Sequence, residues 1–229
     1  MPIKKKRTHK GLIIAIALVA IIAIAAAAVV FNYQKPFPKT SLVGLQVGDS
    51  FTYSISGSCS AAVPSSYYPG FYQLNQTQYY KVAVTAIKGS FVTLETDWVF
   101  TNGTDISKQQ TIDLSNGNTT DSQGFSFLFP ANLKVSDTIY PNANTVPVNA
   151  TFSQTYATVT RQTDYFHVST TETYTQDPTQ STERYLYDQV WFDRQTGMLT
   201  SFSEIQEYNN PEIELQIIYT LTSTNVWTV

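Results

Sequence analysis

The sequence predicts an all-β fold behind a single N-terminal transmembrane helix, arranged as a curled antiparallel meander of about nine or ten strands: a half-barrel, barrel or sandwich. Three observations predict it. An unbroken apolar run lies directly behind a basic N-terminus. Beyond residue 31 apolar side chains recur with period two, and no segment carries a convincing 3.6-residue pattern. Val, Ile, Thr, Tyr and Phe fill these runs, as suits a pleated surface, and turn residues punctuate them.

Composition narrows the function. The chain has 229 residues, and its charged fraction is 14%, against roughly 25% in ordinary globular proteins. That excludes a charge-rich disordered chain and a nucleic-acid binder built on a basic surface. One cysteine, Cys59, leaves no intrachain disulfide, and with only His9 and His167 as histidines no metal site or cofactor is expected.

The net charge of -3 hides an asymmetry. Lys4, Lys5, Lys6, Arg7 and Lys10 form a basic tail over residues 1–10, which leaves nine basic against 17 acidic residues in the remainder. Gly11 to Phe31 carries no polar side chain. As a helix this stretch rises about 31 Å, enough for the hydrocarbon core of a bilayer. Positive-inside bias then puts the N-terminus in the cytoplasm and the C-terminal domain outside a cell membrane, crossed once by residues 11–31. A cleaved signal peptide competes, since Ala25 to Ala28 offers an A-x-A arrangement, but the run continues through Val29, Val30 and Phe31. A pilin-like leader lacks the acidic residue it would need. Pro36 and Pro38 make residues 32–41 an extended linker, and residues 42–229 form the extracytoplasmic domain.

Within that domain Phe51, Tyr53 and Ile55 alternate with polar residues as the first strand. Val82 to Ala86 and Val92 to Phe100 make a hairpin around Lys88-Gly89. Asn102-Gly103 suits a type I′ turn into a strand over about Asp105 to Leu114. Asp113 to Asn118 resembles a calcium loop only in being oxygen-rich; without its alternate ligands and terminal Glu it is a turn. Phe152 to Val159 and Tyr165 to Tyr174 are joined near Gln162-Thr163. Arg184 to Asp193 is apolar in both phases, with Leu186, Val190 and Phe192 on one face and Tyr185, Tyr187 and Trp191 on the other. Asp193 to Gly197 turns the chain into Met198 to Tyr208, and Asn209-Asn210-Pro211 turns it again. In the last strand Ile213, Leu215, Ile217, Tyr219 and Leu221 face inward. Leu45 to Phe51 and Leu133 to Ile139 look alike, each reading as a turn whose Asp accepts bonds from nearby amides before a strand.

Val47-Gly48-Asp49-Ser50-Phe51-Thr52-Tyr53, the Trp191 to Leu199 hairpin and the ending Leu221 to Asn225 resemble those of N-terminally membrane-anchored archaeal surface β-proteins. The hairpin is also similar to one in half-barrel lipoprotein-carrier folds, which bind lipid on a concave apolar face; this likeness is one of fold. The resemblances imply a location and an architecture. They carry over neither an activity nor a site residue.

No nucleophile, base and orienting group occur together, so a non-enzymatic role is expected. His167 on a strand and Cys59 in a Ser/Gly/Ala/Pro-rich stretch have no identifiable catalytic companion, and Glu95 with Asp97 reads as a wet strand face. The leading expectation is a hydrophobic or lipid-like ligand held by the curled sheet, with Trp98, Phe100, Phe152, Phe166, Leu186 and Phe192 as candidate lining. The alternative is a structural module, or one that interacts with proteins or glycans of the cell surface. A void would favour the first; a filled core with an exposed aromatic patch would favour the second. N-x-S/T sequons at Asn75, Asn102, Asn118 and Asn149 are candidate glycosylation sites.

Overall fold

Alternating apolar residues and short turns build one open antiparallel sheet of nine strands in the computed structural model, which describes residues 41–60, 71–121, 124–173, 183–209 and 212–227. The expected basic tail, transmembrane anchor and nearly all of the expected linker lie outside the described residues, as does the turn expected at Asn210-Pro211. Among the described residues no helix is long and apolar enough to cross a membrane.

The strands are β1 (Ser50–Cys59), β2 (Thr77–Lys88), β3 (Phe91–Phe100), β4 (Asp105–Asp113), β5 (Ala150–Tyr156), β6 (Val159–Thr173), β7 (Glu183–Asp193), β8 (Leu199–Asn209) and β9 (Glu212–Thr224). A four-residue helix, α1 (Phe71–Leu74), lies between β1 and β2. The sheet order is β4-β3-β2-β1-β9-β8-β7-β6-β5. First and last strands are therefore neighbours at its centre, with Ile55 opposite Tyr219 and Cys59 opposite Leu215. β4 and β5 form the two edges. The sheet is neither a closed barrel nor a two-layer sandwich.

Three expectations need correction. The meander expected from mainly short turns is interrupted: 36 residues, 114–149, link β4 to β5. Because those strands are opposite edges, this strap has to cross the sheet. The β5–β6 turn falls at Ala157-Thr158 rather than near Gln162-Thr163, with φ of 45° and 69° at two residues that no turn rule selects. At Asn102-Gly103 only Gly103 has positive φ, and Gly103 N–H donates to Phe100 O while Phe100 N–H donates to Thr104 O. That is a type I turn closed by a left-handed glycine, in place of type I′.

The alternation of β9 is as read: Ile213, Leu215, Ile217 and Leu221 are buried, whereas Glu212, Glu214 and Thr220 are exposed. On the same core face lie Phe51, Tyr53, Val82, Val84, Val92, Leu94, Val190 and Phe192. The strap packs on them through Phe125, Leu128, Phe129, Ile139 and Val148. Its Phe129 ring sits 4.8 Å from Phe192 and 5.4 Å from Phe166, and Phe127 lies 4.6 Å from Phe202. Backbone bonds pin it: Phe129 N–H to Gly197 O at 2.9 Å, Ala131 N–H to Leu42 O at 2.8 Å and Asn132 N–H to Arg194 O at 2.6 Å. Gly197 is needed twice here, for its φ of 76° and because a Cβ would come within 1.9 Å of Phe129 O.

A second, smaller core gathers Ile55, Leu215 and Ile217 under Phe71 and Leu74 of α1. Asn75 fastens α1 to β1 by accepting Gly57 N–H and donating to Gly57 O, both at 2.8 Å. Its side chain thus takes the place of a neighbouring strand.

Candidate functional site

Three places concentrate polar or aromatic chemistry. The first is the β7–β8 turn, where Asp193 is fully buried. It accepts Tyr156 OH and Arg161 Nε at 2.6 Å each, Thr196 N–H at 2.8 Å and Thr196 OH at 2.9 Å. Asp164, equally buried, accepts Thr151 OH at 2.6 Å and pairs with Arg194 at 3.0 Å. Burial, with the Asp193 charge beside it, pushes the Tyr156 hydroxyl well above its ordinary value, so it remains a donor. Arg161 also lies 4.3 Å over the Trp227 ring. With their oxygens committed to arginines, hydroxyls and turn amides, these carboxylates clamp a turn to the β5–β6 hairpin.

The second place is the core face beyond the strap. A cavity of about 260 Å³ remains between sheet and strap, lined by Tyr80, Trp98, Phe125, Phe127, Tyr219 and Lys108 among others. Tyr80 meets Trp98 at 6.1 Å and Tyr219 at 6.4 Å, both edge to face. Lys108 pairs with Asp121 at 3.6 Å. Also on this face Asp188 and Glu204 stand directly opposite each other on β7 and β8. Asp188 Oδ1 is buried and accepts no hydrogen bond from the described residues. Burial, then the Glu204 charge, raises the Asp188 carboxyl to about 6; burial also raises Glu204. No group of three His, Cys, Asp or Glu able to hold a metal occurs among the described residues.

The third place is the outer face of β5, β6 and β7. Phe152, Tyr165, His167, Tyr187, Tyr185 and Trp191 form one contiguous strip of rings. Tyr165 lies 6.2 Å from Phe152, 6.0 Å from His167 and 5.1 Å from Trp191. The strip continues from His167 to Tyr187 at 5.8 Å and to Tyr185 at 6.5 Å, the last pair stacked within 8° of parallel. Gln189 Nε2 donates to Tyr165 OH at 3.3 Å and reaches Tyr187 OH at 3.5 Å, tying two rings of the strip together. Phe152 is 45% exposed and Tyr185 37%, so solvent reaches both ends. Past Tyr185 a larger cleft of about 720 Å³ opens beside Tyr208 and Ile213, with Glu207, Glu212 and Glu214 on its walls.

These positions scatter the six residues expected to line a ligand site. Phe166 and Phe192 are buried against the strap, and Phe100 is buried beside Trp98 at 4.8 Å. Leu186 is half-buried. Of the six, Trp98 lines the cavity, and Phe152 lies on the opposite face of the sheet. Cys59 is half-buried at the end of β1, and Asp97 accepts Ser107 OH at 2.7 Å on an outer face. Among the sequons, Asn102 and Asn118 are exposed in turns, whereas Asn75 Nδ2 is engaged on Gly57 O and Asn149 Oδ1 accepts His167 N–H at 3.0 Å.

Sequence reasoning missed the strip as a unit and missed the Asp188–Glu204 pair altogether. The signal for the strip was present: Tyr185, Tyr187 and Trp191 share a phase, and so do Tyr165 and His167. What pairs them is the β6–β7 register, which sets Tyr165 opposite Trp191 and His167 opposite Gln189. No protein-family model matches the chain, and no curated protein is similar to it in sequence.

Proposed function

We propose that this chain is a non-enzymatic binding module held at the outer surface of a cell membrane by residues 11–31, with the outer face of β5–β7 as its recognition surface. One observation carries the reading. Six rings stand together on the solvent side of three strands, while the core side of the same strands is packed under the strap. An exposed aromatic patch of this kind marks an interaction site more often than a folding device. The basic residues before the apolar run, with the likeness to anchored archaeal surface proteins, support the location.

The cavity beside Trp98 favours a second reading, in which a curled sheet holds a hydrophobic ligand. At about 260 Å³ it lies just below the roughly 300 Å³ lower bound of ordinary ligand sites. A small apolar molecule fits that reading better than a two-chain lipid.

Retention of the full-length protein, carried in nanodiscs so that residues 11–31 are already embedded in lipid, on envelopes of its host cell tests the two together. Y165A/Y187A/W191A should reduce retention at least tenfold, with the far-ultraviolet spectrum unchanged. Full retention by that variant, combined with an apolar adduct in native mass spectra of the full chain, would transfer the function to the cavity.

A further inference from the structure

We infer that the outer aromatic strip binds a neutral polysaccharide chain laid along β6 and β7; this rests on the outer face being the recognition surface. Pyranose units present an apolar C–H face rimmed by hydroxyls. A matching protein surface needs flat rings at successive intervals, with uncharged hydrogen-bonding groups between them and at their edges.

The strip supplies both. Its steps of 6.0, 5.8 and 6.5 Å run from Tyr165 through His167 and Tyr187 to Tyr185, so the rings follow one another along the strands. Between and beside them stand Gln189 and Ser169, and Ser203 follows on the neighbouring strand. The Tyr165 and Tyr187 hydroxyls sit within reach of one amide nitrogen, which holds both phenols in place at the strip's centre. Tyr and Trp give large contact area at low conformational cost because each has only two side-chain torsions.

Charge decides against anionic partners, since Glu207, Glu212 and Glu214 border the Tyr185 end of the strip. None of the six strip residues carries a carboxylate, a guanidinium or an ammonium group. Further along β6 and β7, Arg161 and Asp193 neutralise each other at 2.6 Å. Anionic polymers and acidic headgroups therefore find no counter-charge, and strong salt dependence is not expected. A proline-rich peptide would need an aromatic-lined groove, whereas these rings lie on the face of a sheet. The backbone beneath them is already paired in the β6–β7 ladder, so an added strand has nothing to bond there.

The test uses full-length protein in detergent or nanodiscs. Soluble neutral glucan and mannan are titrated against it, followed by intrinsic tryptophan fluorescence and by affinity electrophoresis in gels containing the polymer. A polyuronate, phosphatidylcholine vesicles and a proline-rich peptide serve as competitors for the assignment. At least one neutral polymer should bind. Y165A, Y187A and W191A should each weaken binding at least tenfold, Y187F less than threefold, and 0.05 to 0.5 M salt should change affinity less than twofold; these thresholds are order-of-magnitude expectations for losing one stacked ring. Binding only to the polyuronate, the vesicles or the peptide overturns the inference, and so does binding that survives all three alanine variants. Should no neutral polymer bind while Y165A/Y187A/W191A still loses envelope retention, the polysaccharide assignment fails and the recognition face stands. If that variant keeps its retention, the face itself was misread.

Discussion

The β6–β7 hairpin puts aromatic side chains on both of its faces, and the two sets behave differently. Toward the core, Phe166 and Phe192 meet Phe129 of the strap and lose nearly all their solvent contact. On the outside, Tyr165, His167, Tyr187 and Trp191 pack on each other. The core rings carry no polar atom; each of those four outer rings carries an O–H or N–H that water or a ligand can satisfy. Aromaticity therefore does not mark the interior of this protein. On this hairpin the polar handle marks the outer rings, while Phe152 on the neighbouring edge strand is 45% exposed with no such handle.

Ring loss should therefore cost far more on the core face than on the outer one. Phe192→Ala removes a fully buried ring and opens a cavity against Phe129, so it should cost about 3 to 5 kcal/mol. Trp191→Ala, one residue away, leaves space that solvent reaches and should cost about 1 kcal/mol or less. Urea melts of the two variants with wild type decide it. Similar midpoints would mean that the outer strip is a second core, covered by something in the assembled protein.

Much of the sheet was legible because alternation reports a two-sided strand directly. The β7–β8 turn was legible too, since Asp193 caps it and Gly197 takes a φ that glycine alone adopts readily. The two look-alike segments show where that legibility stops. Asp49 Oδ2 accepts Gln46 N–H at 2.7 Å, and Asp137 Oδ2 accepts Lys134 N–H at 2.8 Å. The backbones match as well, with φ of 97° at Gly48 and 76° at Ser136. After Asp49 the chain enters a ten-residue strand; after Asp137 it makes a single bridge between Thr138 and Pro147. Pro141 and Pro147 deny the second segment a ladder, and nothing local says that it will instead fill the sheet. The strap was hidden for the same reason. Its buried residues Phe125, Leu128, Phe129, Ile139 and Val148 follow no single period, because they pack on the sheet as well as on the strap itself. Once the strap covers the core face, the phenylalanines expected at a ligand site become packing, and the outer strip is what remains exposed.

The same two-sidedness holds at the centre of the sheet, on β9. Leu215 and Ile217 are buried on β9, so replacing either with Ala should cost about 2 to 4 kcal/mol. Gln216 and Thr220 point to the other face, where Ala should change stability by about 0.5 kcal/mol or less. Denaturant melts of the four variants check both values. Equal sensitivity in the two phases would show that β9 is covered on both sides.

The smallest expected effect lies where the core face itself becomes polar, at Asp188 and Glu204. The charged and titratable groups around this pair are Arg184 on β7, held by Glu172 at 2.6 Å, and Tyr208 on β8; Val168 of β6 lies opposite Asp188 and Ile217 of β9 opposite Glu204. The folded protein raises Asp188 to about 6, above the unfolded value of about 3.9. Folding favours the protonated acid, so its contribution is fully present below about pH 4 and is lost as pH rises through about 6. Asp188→Asn keeps the shape and cannot ionise. It should therefore be more stable than wild type at pH 8, by about 1 to 2 kcal/mol once the solvent contact of a half-buried carboxyl is allowed for. The two proteins should converge near pH 4, and urea midpoints taken at pH 4, 6 and 8 follow the convergence. A stability gap independent of pH, or a wild type more stable than Asp188→Asn at pH 8, would mean that Asp188 is ionised and well solvated, and that the polar part of the core face is open to water.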